Sequence, residues 1–207
     1  SLHDALPILR MLNGSHSFLA WLGYLAGYQH INDCMQDENY RRAARALMLE
    51  EQAPTLNVQG VDLARYAGLL IERYSNPALK HRTWQIAMDG SQKLPQRMLD
   101  SIRWHLAHGG DFTLLAMGVA AWMRYVSGVD DQGQAIEISD PLLPVIAQTV
   151  QNSADGEERV RALLGIEAIF GASLPQESRF VNAVVRAYLS LQQHGAKATV
   201  AAWAQAN

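Results

Sequence analysis

The stretch Asn13-Gly14-Ser15-His16-Ser17-Phe18-Leu19-Ala20-Trp21-Leu22-Gly23-Tyr24-Leu25-Ala26-Gly27-Tyr28 decides the fold class. Phe18, Leu19, Leu22 and Leu25 recur at the three- and four-residue intervals that line one face of an α-helix. A helix is therefore predicted from about Ser15 to Tyr28, with a polar cluster at its mouth. Asn13 and His16 share a face if the backbone is helical there. An amide beside an imidazole can grip one substrate oxygen, the amide stabilising negative charge while the imidazole orients or relays a proton. The same residues also suit a plain helix start, with Asn13 or Ser15 as the cap, and spacing alone favours that.

Outward from this segment, apolar residues keep the helical period and the breaks carry capping residues, with none of the alternating runs expected of strands. Asp37 can cap a second helix that runs through Leu47 and ends before Pro54. A third spans about Val61 to Tyr74, closed by Ser75-Asn76-Pro77, and Leu79 to Met88 reads as a short fourth. Asp89-Gly90-Ser91 interrupts the pattern and Leu94-Pro95 restarts it. One of the next two helices ends at Gly109-Gly110, and the other is capped by Asp111 and ends near Gly128. Val129 to Ser139 is non-helical, with a small hairpin expected at Asp130-Asp131-Gln132-Gly133. Asp140-Pro141 opens a run of helices over 141–152, 156–169, 175–194 and 197–205. The fold class is all-α.

Of the 207 residues, 49% are hydrophobic, enough for one large core. The net charge is −3, with Lys and Arg scattered among carboxylates, so the one-signed stripe that nucleic acid requires is missing. The single cysteine, Cys34, cannot form an internal disulfide, and no apolar run approaches the ~20 residues of a membrane span. Ser1 to Ile8 lacks the basic start and long apolar stretch of a signal peptide, which points to the cytoplasm. There is no glycine-rich phosphate loop after a strand, so the chain supplies no dinucleotide cradle.

A second polar cluster, Gln85, Asp89, Ser91 and Lys93, falls between two apolar segments. A lysine beside a glutamine suits a carboxylate or polyol, although a solvated turn with Asp89 as cap explains the same residues. His105 and His108 stand three apart with no third ligand at matching spacing, so they are expected as a surface pair and no metal site is assigned. The five tryptophans, Trp21, Trp84, Trp104, Trp122 and Trp203, are expected as core anchors.

The run Leu9-Arg10-Met11-Leu12-Asn13-Gly14-Ser15-His16-Ser17, continuing to Gly27, resembles the opening of the C-terminal domain of the long-chain mannitol dehydrogenase family, on its fructuronate reductase (D-mannonate oxidoreductase) side. Further blocks extend the likeness: Glu51-Gln52-Ala53-Pro54-Thr55-Leu56, Tyr74-Ser75-Asn76-Pro77, Trp84 to Pro95 and Ile138-Ser139-Asp140-Pro141-Leu142. The resemblance implies a metal-free secondary-alcohol dehydrogenase of two domains. A Rossmann half, expected in cis and missing here, binds NAD, and an all-helical half supplies catalytic and substrate groups. It implies that Asn13 stabilises the alkoxide and His16 orients the substrate. Lys93, Gln85 and Arg82 would hold a sugar acid, because Gln85 stands where mannitol-oxidising relatives tend to have arginine. The family's proton-exchanging lysine falls on Ile8, and residues 1–8 are expected to be a leader outside the family domain of 9–207. On this reading the chain is the C-terminal part of a fructuronate reductase, inactive alone. The alternatives are a tagaturonate reductase, a mannitol 2-dehydrogenase or a helical interaction module.

Overall fold

A computed structural model describes the backbone of residues 2–207 and the side chains from Ile8 onward. The leader expected at residues 1–8 therefore lies, Ile8 apart, outside the described side chains. In chain order the helices are α1 Leu2–Ala26, α2 Ile31–Gln36, α3 Glu38–Ala46, α4 Leu63–Tyr74, α5 Thr83–Ala87, α6 Gly90–Leu94 and α7 Asp100–His108. They continue as α8 Thr113–Val126, α9 Leu143–Gln151, α10 Glu157–Leu164, α11 Glu167–Phe170, α12 Ser178–His194 and α13 Ala196–Ala206. Among the described residues no strand forms, and two isolated bridges, His30 with Arg82 and Val129 with Ala135, are the only β pairing.

The core is built around α8, where every residue from Leu114 to Val126 except Arg124 is buried. A helix apolar on nearly all sides must be enclosed, and α1 and α12 pack against it. From α1, Phe18, Leu19, Trp21, Leu22 and Leu25 enter this core. From α12 come Phe180, Val184, Tyr188 and Leu191. The expected core anchors hold for Trp21 and Trp122 alone, since Trp84, Trp104 and Trp203 are half-buried.

Several local expectations change. α1 begins well before Ser15, so neither Asn13 nor Ser15 caps it, and the polar cluster lies within the helix. Asp37 caps α3 as expected, accepting hydrogen bonds from the amides of Asn39 and Tyr40 at 2.9 and 3.3 Å. The helix expected at Leu79–Met88 is cut to Thr83–Ala87, because Lys80 turns left-handed at φ 47°. Asp140 accepts from the Leu142 amide two residues on, so α9 starts at Leu143, after Pro141. The expected hairpin is a single bridge closed by Gly133 and by the Asp130 carboxylate, which accepts from the amides of Gln132 and Gln134.

Two stretches widen into π-helical turns, Leu47–Gln52 after α3 and Pro95–Leu99 after α6. Such turns are rare and gather at functional sites. The first turns the adjacent Glu51 and Gln52 both inward. The Glu51 carboxylate accepts from the first amides of α8, Leu114 at 2.9 Å and Leu115 at 2.8 Å, where the helix end is positive. Burial, opposed by these two amide hydrogen bonds, leaves the carboxyl raised to about 8. His105 is no surface residue. It is buried, and its Nε2 donates to the Glu51 carbonyl, while His108 stacks on Trp104 in the open.

Glu51→Gln is expected to lower stability by about 1–3 kcal/mol, because the new amide NH2 would face a helix N–H and leave a buried donor unpaired. Urea denaturation of the two proteins measures the difference, and equal midpoints would show that the carboxylate does not hold α8.

Candidate active site

Within α1 the sequence Asn13-Gly14-Ser15-His16 is gripped from three sides. Gln52, fully buried, brings its side-chain amide against Gly14 and donates to the carbonyls of Arg10 at 3.3 Å and Arg97 at 3.4 Å. A Cβ on residue 14 would collide with that amide, which is why the position needs glycine in the middle of a helix. Arg97, from the second π turn, donates to the Asn13 carbonyl at 3.4 Å and to Ser17 Oγ at 2.9 Å. On the third side the Tyr74 hydroxyl donates to the Leu12 carbonyl at 2.9 Å and lies 2.9 Å from Ser15 Oγ.

His16 lies on this helix with its ring stacked on Tyr74, centroids 5.3 Å apart and planes 5° apart. His81 approaches edge-on at 5.5 Å. Burial first, then the charges of His81, Arg97, Lys93 and Arg73, lower the His16 pKa to about 4, so the ring is neutral at physiological pH. Its Nε2 is buried and has no hydrogen-bond partner among the described residues.

Lys93 is carried by α6, whose start is fixed in two ways. Asp89 adopts a left-handed conformation at φ 58°, and Asp140 accepts from the Ser91 amide at 2.9 Å and the Ser91 hydroxyl at 2.5 Å. Gly90 lies against the Trp122 indole, where a side chain would not fit. Lys93 Nζ donates to the Ile86 carbonyl at 2.8 Å, closing α6 back on the end of α5. Burial, then Arg97, lowers the Lys93 pKa, with Asp89 and Asp140 opposing. Among the described residues neither Lys93 nor Arg97 forms an ion pair.

Asn13 stands three positions before His16 on α1, and the charge of Lys93, 77 positions further along the chain, reaches the His16 ring. Gln85 is exposed on α5, next to the carbonyl that Lys93 holds. Arg82 is turned elsewhere. It sits 5.9 Å from the Trp84 ring, in a cleft of about 580 Å³ shared with Tyr24, Tyr28, His30 and Glu137. The segment is extended there, bonded to the 29–31 turn through Ile31 N to His81 O and Thr83 N to Gln29 O. Extended neighbours point to opposite sides, so His81 meets His16 and Arg82 faces away.

Residues 8–192 match the model of the mannitol dehydrogenase C-terminal domain. The chain belongs to that family. Similar proteins include an uncharacterized oxidoreductase, YdfI, of Escherichia coli (strain K12), 73% identical over 96% of this chain and 42% of that protein. The D-mannonate oxidoreductase of the same organism is 59% identical over 94% of this chain and 40% of its own length. Among solved structures, a ternary complex of Pseudomonas fluorescens mannitol 2-dehydrogenase with NAD and D-mannitol superposes with a TM-score of 0.89 at 34% identity, covering 97% of this chain and 41% of that one. The chain thus spans about two fifths of the length of these relatives, and its helical architecture is that of their C-terminal domain.

In this mannitol dehydrogenase C-terminal domain three residues of the cluster, Tyr74, His81 and Arg97, escape a reading of spacing. Each reaches α1 from another element, and none interrupts an apolar pattern. Tyr74 lies within a quoted sequence block, but nothing local marks its ring as the wall behind His16.

A depressed histidine pKa means that the folded state holds fewer protons than the unfolded chain between about 4 and 6.5, so His16 costs stability as pH falls through that window. Against His16→Gln, which cannot titrate, the chain should lose up to about 3 kcal/mol in urea midpoint stability between pH 7 and pH 4. A pH-independent difference between the two would show that His16 titrates freely.

Proposed function

We propose that this domain is the substrate-binding half of a cytoplasmic NAD-dependent fructuronate reductase, which interconverts D-mannonate and D-fructuronate. The observation that carries the substrate class is the excess of positive charge at the site. Lys93 and Arg97 are half-buried with no carboxylate partner among the described residues, beside an imidazole held neutral. Half-buried cations with no direct ion pair are costly, Asp89 and Asp140 offset part of this for Lys93, and a ligand carboxylate would relieve the rest. The 59% identity to a D-mannonate oxidoreductase supports the same class.

The unpartnered Nε2 of His16 fits a bound substrate oxygen, and the absence of a glycine-rich loop fits a cofactor held mostly by another domain. NAD(H), when bound, accepts or supplies the hydride at the carbinol carbon. Asn13 shares the helical face of His16 and donates its amide hydrogen to the developing oxyanion. His16, neutral, orients the same oxygen through Nε2, and Lys93 takes the carboxylate end, with Gln85 beside it. The alcohol proton needs an acceptor. His16, at about 4, is a poor one at neutral pH, and Ile8 carries no titratable group. The chain therefore lacks both halves of the proton and hydride transfer, and is expected to be inactive on its own.

The test fuses the nucleotide-binding half of the E. coli D-mannonate oxidoreductase ahead of this chain, with Ile8 kept or replaced as Ile8→Lys. Steady-state NADH oxidation should be slower with Ile8 by about 10²–10⁴-fold at saturating fructuronate. Equal rates would show that position 8 does not exchange the proton. Faster reduction of fructose than of fructuronate by the Ile8→Lys fusion would refute the sugar-acid substrate.

A further inference from the structure

We propose that His81 is a positioning residue of this site: its ring, edge-on to His16, fixes the imidazole and keeps its buried Nε2 unbonded by water until a substrate oxygen reaches it. The inference rests on the reading that His16 meets the substrate, and it adds a residue that no sequence motif marks.

Three observations support it. First, the His16 ring packs against two aromatic partners, Tyr74 stacked at 5.3 Å and His81 at 5.5 Å with planes 65° apart. Second, neither partner bonds to it. The Tyr74 hydroxyl is occupied by the Leu12 carbonyl and Ser15 Oγ, and Nε2 of His16 stays without a partner among the described residues. A buried polar atom left unpaired costs about 1–3 kcal/mol, and such exceptions call for a functional or solvent-based explanation. Third, His81 is not free to swing away. Its carbonyl accepts from Ile31 N at 2.9 Å, Lys80 before it is left-handed, and Arg82 after it bridges to His30. A short extended segment pinned on both sides thus aims one imidazole at another.

The groups facing His16 are Tyr74 and Arg73 from α4, Lys93 from α6, Arg97 from the following π turn, and His81. All are neutral or cationic, and burial is the largest influence, so opening the His81 edge to water should release His16 from its depression.

The test titrates His16 by NMR in the 207-residue chain without any substrate, its ring signal assigned by loss in His16→Gln. His81→Ala removes the edge and the charge, and should raise the His16 pKa from about 4 by a unit or more toward 6.5. His81→Phe keeps an aromatic edge and removes only the charge, so its rise should be smaller. Circular dichroism melts check that both variants fold, and the phenylalanine variant carries the test if the alanine variant does not. An unchanged His16 titration in the folded variants, even with a lowered melting temperature, would reduce His81 to packing and overturn the proposal. That outcome leaves the fructuronate reading intact, because turnover of the fused enzyme judges it separately.

Discussion

The site depends on one steric constraint: the Gln52 amide occupies the space where residue 14 would otherwise carry a side chain. A glycine in mid-helix costs roughly 0.5–1 kcal/mol relative to alanine, so α1 would be more stable without it. What the glycine allows is a close approach of the Leu47–Gln52 turn to the helix backbone, with hydrogen bonds to Arg10 and Arg97 carbonyls on either side. Arg97 then reaches over to the Asn13 carbonyl and Ser17. Two π turns from distant parts of the chain therefore meet on one turn of α1. Asn13 and His16 flank the clamped glycine, so their directions are fixed by backbone and not by surface chance.

The same clamp explains the electrostatics. Arg97 and Lys93 are both half-buried near His16, and among nearby carboxylates only Asp89 and Asp140 partly offset the charge of Lys93. Asp140 is committed to Ser91 and the Leu142 amide, and Glu51 to the start of α8. On the proposed function, a ligand carboxylate would meet the remaining charge. This is a cost in the free domain, consistent with sites that hold strain or charge for a substrate and are supported by the rest of the fold.

How much of this was legible in the sequence follows from the range of each interaction. The all-helical class, the capping by Asp37 and the break at Asp89-Gly90 are local effects, and short-range patterns carry them. The start of α1 lies earlier than the capping pattern suggests, because Asn13 and Ser15 are good caps in isolation, whereas Ser15 here bonds back to the Met11 carbonyl within the helix and to Tyr74 from α4. His105 was misplaced for the same reason, since its partner is a carbonyl 54 positions away. Asn13, His16 and Lys93 stood out as polar breaks in apolar surroundings. The charge of Arg82 and its nearness in sequence suggest a site residue, yet the alternation of an extended segment gives its neighbour His81 to His16 instead.

That last exchange bears on how such sites are built. A guanidinium at the position of His81 would place a permanent charge against His16 and a flexible head in the substrate's path. An imidazole supplies a flat edge of fixed size against the His16 ring. Tyr74, stacked on His16, has its hydroxyl spent on the backbone. The result is an imidazole whose buried Nε2 is left unbonded among the described residues, which is what the proposed contact with a substrate oxygen requires.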